Sequence, residues 1–143
     1  MKKEQSKKSK ILSSVVGVIS FGVFYIIGRQ FFAPDLETKL NNVAIQLNKQ
    51  TPMQVDEFTR LDSASSKGAT NLMYYYTIMN LDKSEVNLDT VNKYIRPSII
   101  ENVKTSPDLK VYRDNNITMD YIYFDKNGEF VIKLAVTPEL YNN

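Results

Sequence analysis

The chain has 143 residues, with 18 Lys and Arg against 16 Asp and Glu, and no histidine or cysteine at all. Those two absences exclude a Ser-His-Asp triad, a cysteine nucleophile, disulfides, lipidation through cysteine and an ordinary zinc site. The formal net charge of +2 hides an uneven distribution: residues 34–143 carry twelve basic and fifteen acidic side chains, net −3, which speaks against nucleic-acid binding.

In chain order, the first feature is a basic tail. Residues 1–10 hold Lys2, Lys3, Lys7, Lys8 and Lys10 with one glutamate. Residues 11–27 are uncharged, and only Arg29 is charged before Asp35. A helix over residues 11–32 would be about 33 Å long at roughly 1.5 Å per residue, enough for a hydrocarbon core of about 30 Å. Arg29 near its end can snorkel, and Tyr25, Phe31 and Phe32 suit the headgroup interface. The lysine excess belongs in the cytoplasm, so the expectation is a single-pass bacterial inner-membrane protein with residues 34–143 outside as one domain. A cleaved signal peptide is the rival, but no A-x-A-like site follows, and Ala33 precedes Pro34. Ser13 and Gly17 form a small-x-x-x-small pair that could support weak homodimerisation.

Asp35 can cap a new helix in which Leu36, Leu40, Val43 and Leu47 form one apolar stripe, ended by Thr51-Pro52. Residues 58–66 suggest a strand with Thr59, Leu61 and Ser63 on one face, turned by Lys67-Gly68-Ala69. Residues 71–80 predict a central strand, with Leu72, Tyr74, Tyr76 and Ile78 opposite Met73, Tyr75, Thr77 and Met79.

Residues 87–105 look helical, capped by Asn87 or Asp89, with Leu88, Val91, Tyr94 and Ile95 sharing a face. Pro97 must either kink that helix or start a second one. Ser106 caps a short helix to about Asp114, stopped by Asn115-Asn116. Residues 117–124 and 130–136 alternate as a hairpin around Asp125-Lys126-Asn127-Gly128. That turn is not a calcium loop: with Gly128 at position six, positions one and twelve fall on Tyr123 and Leu134. The predicted fold is α+β: helix, β-hairpin, helices, β-hairpin, with an antiparallel sheet and helices on one face.

No catalytic motif and no cofactor or metal motif emerges, so an enzyme is not expected. Asp56, Glu57 and Asp62 are the only carboxylate group that could suggest a wall hydrolase, and Arg60 among them favours simple ion pairing. Ser66-Lys67 sits in a turn and is no dyad. Eight tyrosines lie beyond residue 34; they suit cross-strand stacking in a core or an aromatic protein interface.

The segment Pro52-Met53-Gln54-Val55-Asp56-Glu57-Phe58-Thr59-Arg60-Leu61-Asp62 resembles one found in a group of small exported or membrane-anchored bacterial proteins. The tyrosine-rich strand at Tyr74–Tyr76 and the hairpin at Tyr121–Gly128 extend the resemblance to roughly Leu40–Pro138. Members of that group often carry two cysteines, near the third and final elements, where this chain has none, which implies a disulfide-free branch. The resemblance implies an exported location and this fold, and no activity.

These readings converge on a membrane-tethered extracytoplasmic module that binds another envelope protein as an accessory or assembly subunit. The candidate contacts are Asp56, Arg60, Asp62 and Tyr75. An envelope-side immunity or inhibitor protein is the alternative, its acidic domain set against a basic target.

Overall fold

The computed structural model describes residues 35–143. The predicted tail (1–10) and anchor (11–32) lie outside the described residues. Among the described residues no helix is long and apolar enough to cross a membrane.

Helix α1 (Leu36–Asn48) starts where Asp35 accepts the Thr38 N–H at 2.8 Å. Leu40, Val43, Ala44 and Leu47 are buried along it, and Leu36 packs at the margin, as the stripe predicts. The helix lies across strand β2 (Thr59–Lys67). Its last residue fastens it there: the Asn48 amide donates to the Ala64 carbonyl at 2.8 Å and accepts the Ala64 N–H at 2.7 Å. Replacing Asn48 by alanine strands both Ala64 groups in a half-buried place. The expected cost is about 2 kcal/mol, read from the midpoint of chemical denaturation. An unshifted midpoint would mean that water substitutes for the amide at no cost.

The sheet has five strands in the order β1-β2-β3-β4-β5. The outer β1 (Met53–Gln54) is only two residues long and had no separate sequence signal. Beyond β2 come β3 (Asn71–Ile78), β4 (Thr118–Phe124) and β5 (Phe130–Val136). The two predicted hairpins are both present, β2–β3 turning at Gly68 and β4–β5 at Gly128, each glycine with positive φ.

The expectation of a purely antiparallel sheet is corrected at its centre. Strands β3 and β4 run parallel, with Asn71 opposite Thr118 and Thr77 opposite Phe124. The cause is the helical connection between them. It carries the chain back to the end of the sheet where β3 began, which is what a parallel neighbour requires.

A second correction lies in β2. The register slips between Leu61 and Ser63, so Asp62 is the extra residue of a bulge. Thr59 and Leu61 face the core as predicted, but after the bulge Ala64, not Ser63, takes the inward position.

The connection begins with a 3-10 turn (Lys83–Glu85) and α2 (Leu88–Thr90), where the Asn87 side chain accepts the Thr90 N–H. A π turn (Val91–Ile95) leads without a break into α3 (Arg96–Thr105). Arg96 N–H bonds the Val91 carbonyl, five residues back. The proline at 97 has no N–H to give and crowds the preceding turn; the wider turn accommodates it, so the helix neither breaks nor restarts. This also corrects the predicted face. Val91, Ile95, Ile99 and Val103 are buried, whereas Leu88 and Tyr94 are exposed.

After α3, a 3-10 turn (Pro107–Leu109) and α4 (Lys110–Asp114) follow. The Ser106 side chain makes no capping bond, contrary to expectation. Arg113 does the fastening instead, donating from Nη1 to the Val103 and Ser106 carbonyls at 2.7 Å each. Asn116 stops the helix at φ 53°, as its residue type suggests. A short α5 (Pro138–Tyr141), absent from the sequence reading, closes the chain. Its Tyr141 hydroxyl donates to the Ile117 carbonyl at 2.8 Å.

Candidate functional site

The two faces of the sheet differ in what covers them. On one face, Leu61, Leu72, Tyr74, Tyr76, Tyr121, Tyr123 and Leu134 join the inner residues of the helices in a single core. The rings of Tyr74 and Tyr121 stack at 5.4 Å, and those of Tyr76 and Tyr123 at 5.2 Å. Parallel pairing creates these stacks, because β3 and β4 place Tyr74 beside Tyr121 and Tyr76 beside Tyr123. Burial pushes all four phenols up from their ordinary pKa.

Strand alternation sends Met73, Tyr75 and Thr77 to the other face. Beside them stand Asp120, Ile122 and Phe124 of β4 and Arg60, Ser63 and Ser65 of β2. Among the described residues, the helices collect on the tyrosine-stack face, leaving this one without a helical cover. It is a mixed surface of aromatic, aliphatic and charged groups.

Three of the four candidate contact residues come together there. Asp62, on the same side of β2 as Arg60 by alternation with Leu61, pairs with Arg60 Nε at 2.5 Å and accepts the Thr77 hydroxyl. The Arg60 and Asp62 side chains are about 43% and 31% exposed, so the pair is worth little to stability. Tyr75 is half-buried, its hydroxyl 3.0 Å from Ser65 Oγ. The shared side of Arg60 and Asp62 was legible from their alternation with Leu61; the bulge that exchanges Ser63 for Ala64 on the inner face was not.

Asp56 stands apart. It lies in the turn before β2, where Oδ1 accepts the N–H groups of Phe58 at 2.7 Å and Thr59 at 2.8 Å. Its role is to start the strand. Glu57 is exposed beside it. The three carboxylates once grouped by sequence therefore have separate tasks.

Sequence reasoning missed Asp120. It is buried on the same face as Tyr75, accepting from Asn71 Nδ2 at 3.0 Å, with Lys133 Nζ at 3.4 Å from its other oxygen. A charge between apolar neighbours on the strand face shared with Ile122 and Phe124 was the available signal. Asp125 sits in the predicted turn between β4 and β5. Burial would raise its pKa, but the N–H groups of Glu129, Lys83 and Asn127 outweigh that and hold the carboxyl below its ordinary range.

The fold has solved counterparts. A Pseudomonas aeruginosa protein described as secreted is similar at a TM-score of 0.63 and 13% identity, over 74% of this chain and 92% of that one. EpsS, the pilotin of the Vibrio vulnificus type 2 secretion system, is similar at a TM-score of 0.60 and 14% identity, over 74% and 91%. AspS, the type II secretion system pilotin of Vibrio cholerae, is similar at 0.56 and 17%, over 73% and 91%. At such identities the likeness is one of fold. Comparison with curated protein sequences gives no match. A family model does match, across residues 35–132 and hence most of the chain, and its extent begins at the cap of α1 and ends within β5. The chain belongs to the family of the domain of unknown function DUF8479.

Proposed function

We propose that this chain is a membrane-tethered protein-binding module on the outer side of a bacterial cell membrane, acting as an accessory or assembly subunit of an envelope complex. The observation that carries the reading is the sheet face that no described helix covers, which carries Arg60, Asp62 and Tyr75. An aromatic ring beside an adjustable ion pair is a composition suited to protein recognition. The fold shared with two secretion-system pilotins supports an assembly role. The lysine-flanked apolar run at residues 11–32 supports the tether. Tethering would work by raising the effective concentration of the face near the membrane, with no covalent step.

The test is cross-linking of the full-length protein in its native membranes, followed by mild solubilisation and identification of what co-purifies. Arg60→Ala and Tyr75→Ala should each weaken capture, by about 1–2 kcal/mol or roughly 5–30-fold, with an unchanged circular dichroism spectrum. Capture equal to that of the native chain by both variants would remove this face from the reading.

A further inference from the structure

The net charge of the described residues is concentrated at one end of the sheet. The segment 82–89 and the turn 125–129 contain Asp82, Glu85, Asp89, Asp125 and Glu129 against Lys83 and Lys126, net −3. That equals the net charge of all residues from 35 onward, so the remainder is balanced. The two segments are fastened into one unit. Lys126 Nζ lies 3.0 Å from Asp82, Asn127 Nδ2 donates to Asp82 at 2.6 Å, and Lys83 N–H donates to Asp125 at 2.9 Å.

Between them is a groove of about 540 Å³. Val86, Leu88 and Val131 supply its apolar lining, and Asp82, Lys83 and Glu129 its polar one. Leu88 is 44% exposed at the edge of the groove, while Val131 on its floor is buried. Apolar lining under a negative rim selects a partner by complementarity: an aliphatic side chain for the floor, flanked by positive charge for the rim.

We infer that this groove binds a cationic segment of a protein partner, seating one aliphatic side chain against Val86, Leu88 and Val131 between lysines or arginines that face Glu129 and Asp89. The inference rests on the protein-binding reading but uses a surface other than the Arg60–Tyr75 face. Rim charges act mainly on encounter and salt dependence, while the apolar contact sets how long the partner stays.

The experiment is an amide-resolved NMR titration of the full-length chain in zwitterionic detergent micelles. The probes are acetyl-Lys-Lys-Leu-Lys-Lys-amide, its glutamate counterpart with the same central leucine, and its serine-centred counterpart. The lysine–leucine peptide should shift the amides of Val86, Leu88, Glu129 and Val131, at least fivefold more tightly than either counterpart. Glu129→Lys and Leu88→Ser should each weaken it at least fivefold, with amide shifts remote from the groove unchanged. Failure to bind, equal binding of the glutamate peptide, or unaffected binding by both variants overturns the inference. Membrane cross-linking on the same preparations separates the two readings. If the peptide fails while Arg60→Ala still weakens capture, the groove falls and the protein-binding reading stands.

Discussion

Raising the pH to about 11 should unfold the domain in a single steep step. Tyr74, Tyr76, Tyr112, Tyr121 and Tyr123 are at most 4% exposed. Burial holds each of them above the ordinary value of 10.0, and neighbouring phenols add to it at Tyr74, Tyr76 and Tyr123. A folded pKa above the unfolded one fixes the sign. The stabilisation is complete below the unfolded value and shrinks as pH rises past it, because only the unfolded chain can release the proton. Each such group costs about 1.4 kcal/mol per pH unit in that range. Five together cost roughly 7 kcal/mol per unit, against a total stability of about 5–15 kcal/mol for a domain of this kind. Tyrosinate absorbance and far-ultraviolet circular dichroism should therefore change together. Gradual ionisation of all five tyrosines near pH 10, with the dichroism intact, would contradict the packing described here.

The same tyrosines show where sequence reasoning reaches and where it stops. Period-two alternation separated Tyr74 and Tyr76 from Tyr75, because adjacent strand residues must face opposite ways. It could not say which side the helices would cover. Nor could it see the parallel pairing of β3 with β4, since an alternating strand looks the same whichever way its neighbour runs. The hairpins were legible because glycine at 68 and 128 marks turns that are local in sequence. The bulge at Asp62 was not, because an inserted residue resets the alternation without changing residue type. At Pro97 the pattern broke for a related reason. A π turn adds a residue to one helical turn, which carries Leu88 and Tyr94 off the face that Val91, Ile95, Ile99 and Val103 keep. Of the candidate site, alternation already put Arg60 and Asp62 together on the face opposite Leu61; what it could not show is that strand pairing sets that face beside Thr77 and Tyr75 of β3. The contrast between Asp56 and Asp62 is equally positional: one caps a strand start and the other sits on the face that no described helix covers.

Replacing Tyr76 by alanine should be among the most damaging single changes in the domain. The ring is fully buried, stacked on Tyr123 at 5.2 Å and tilted against Tyr74 at 6.4 Å. It also lies opposite Leu61, which is itself fully buried. Its removal takes apolar area out of the core and leaves a hole that strands on both sides hold open. Aromatic-to-alanine changes in such places cost about 3–5 kcal/mol. For a domain of this size that lowers the melting temperature by more than about 10 °C. The comparison with Tyr76→Phe identifies the cause. The Tyr76 hydroxyl is buried and makes no hydrogen bond to a protein group, so its deletion should change stability by less than about 1 kcal/mol. If phenylalanine is as damaging as alanine, the hydroxyl rather than the ring holds β3 to β4. If both are mild, the two strands owe their parallel pairing to backbone bonds and to the Tyr74–Tyr121 stack alone.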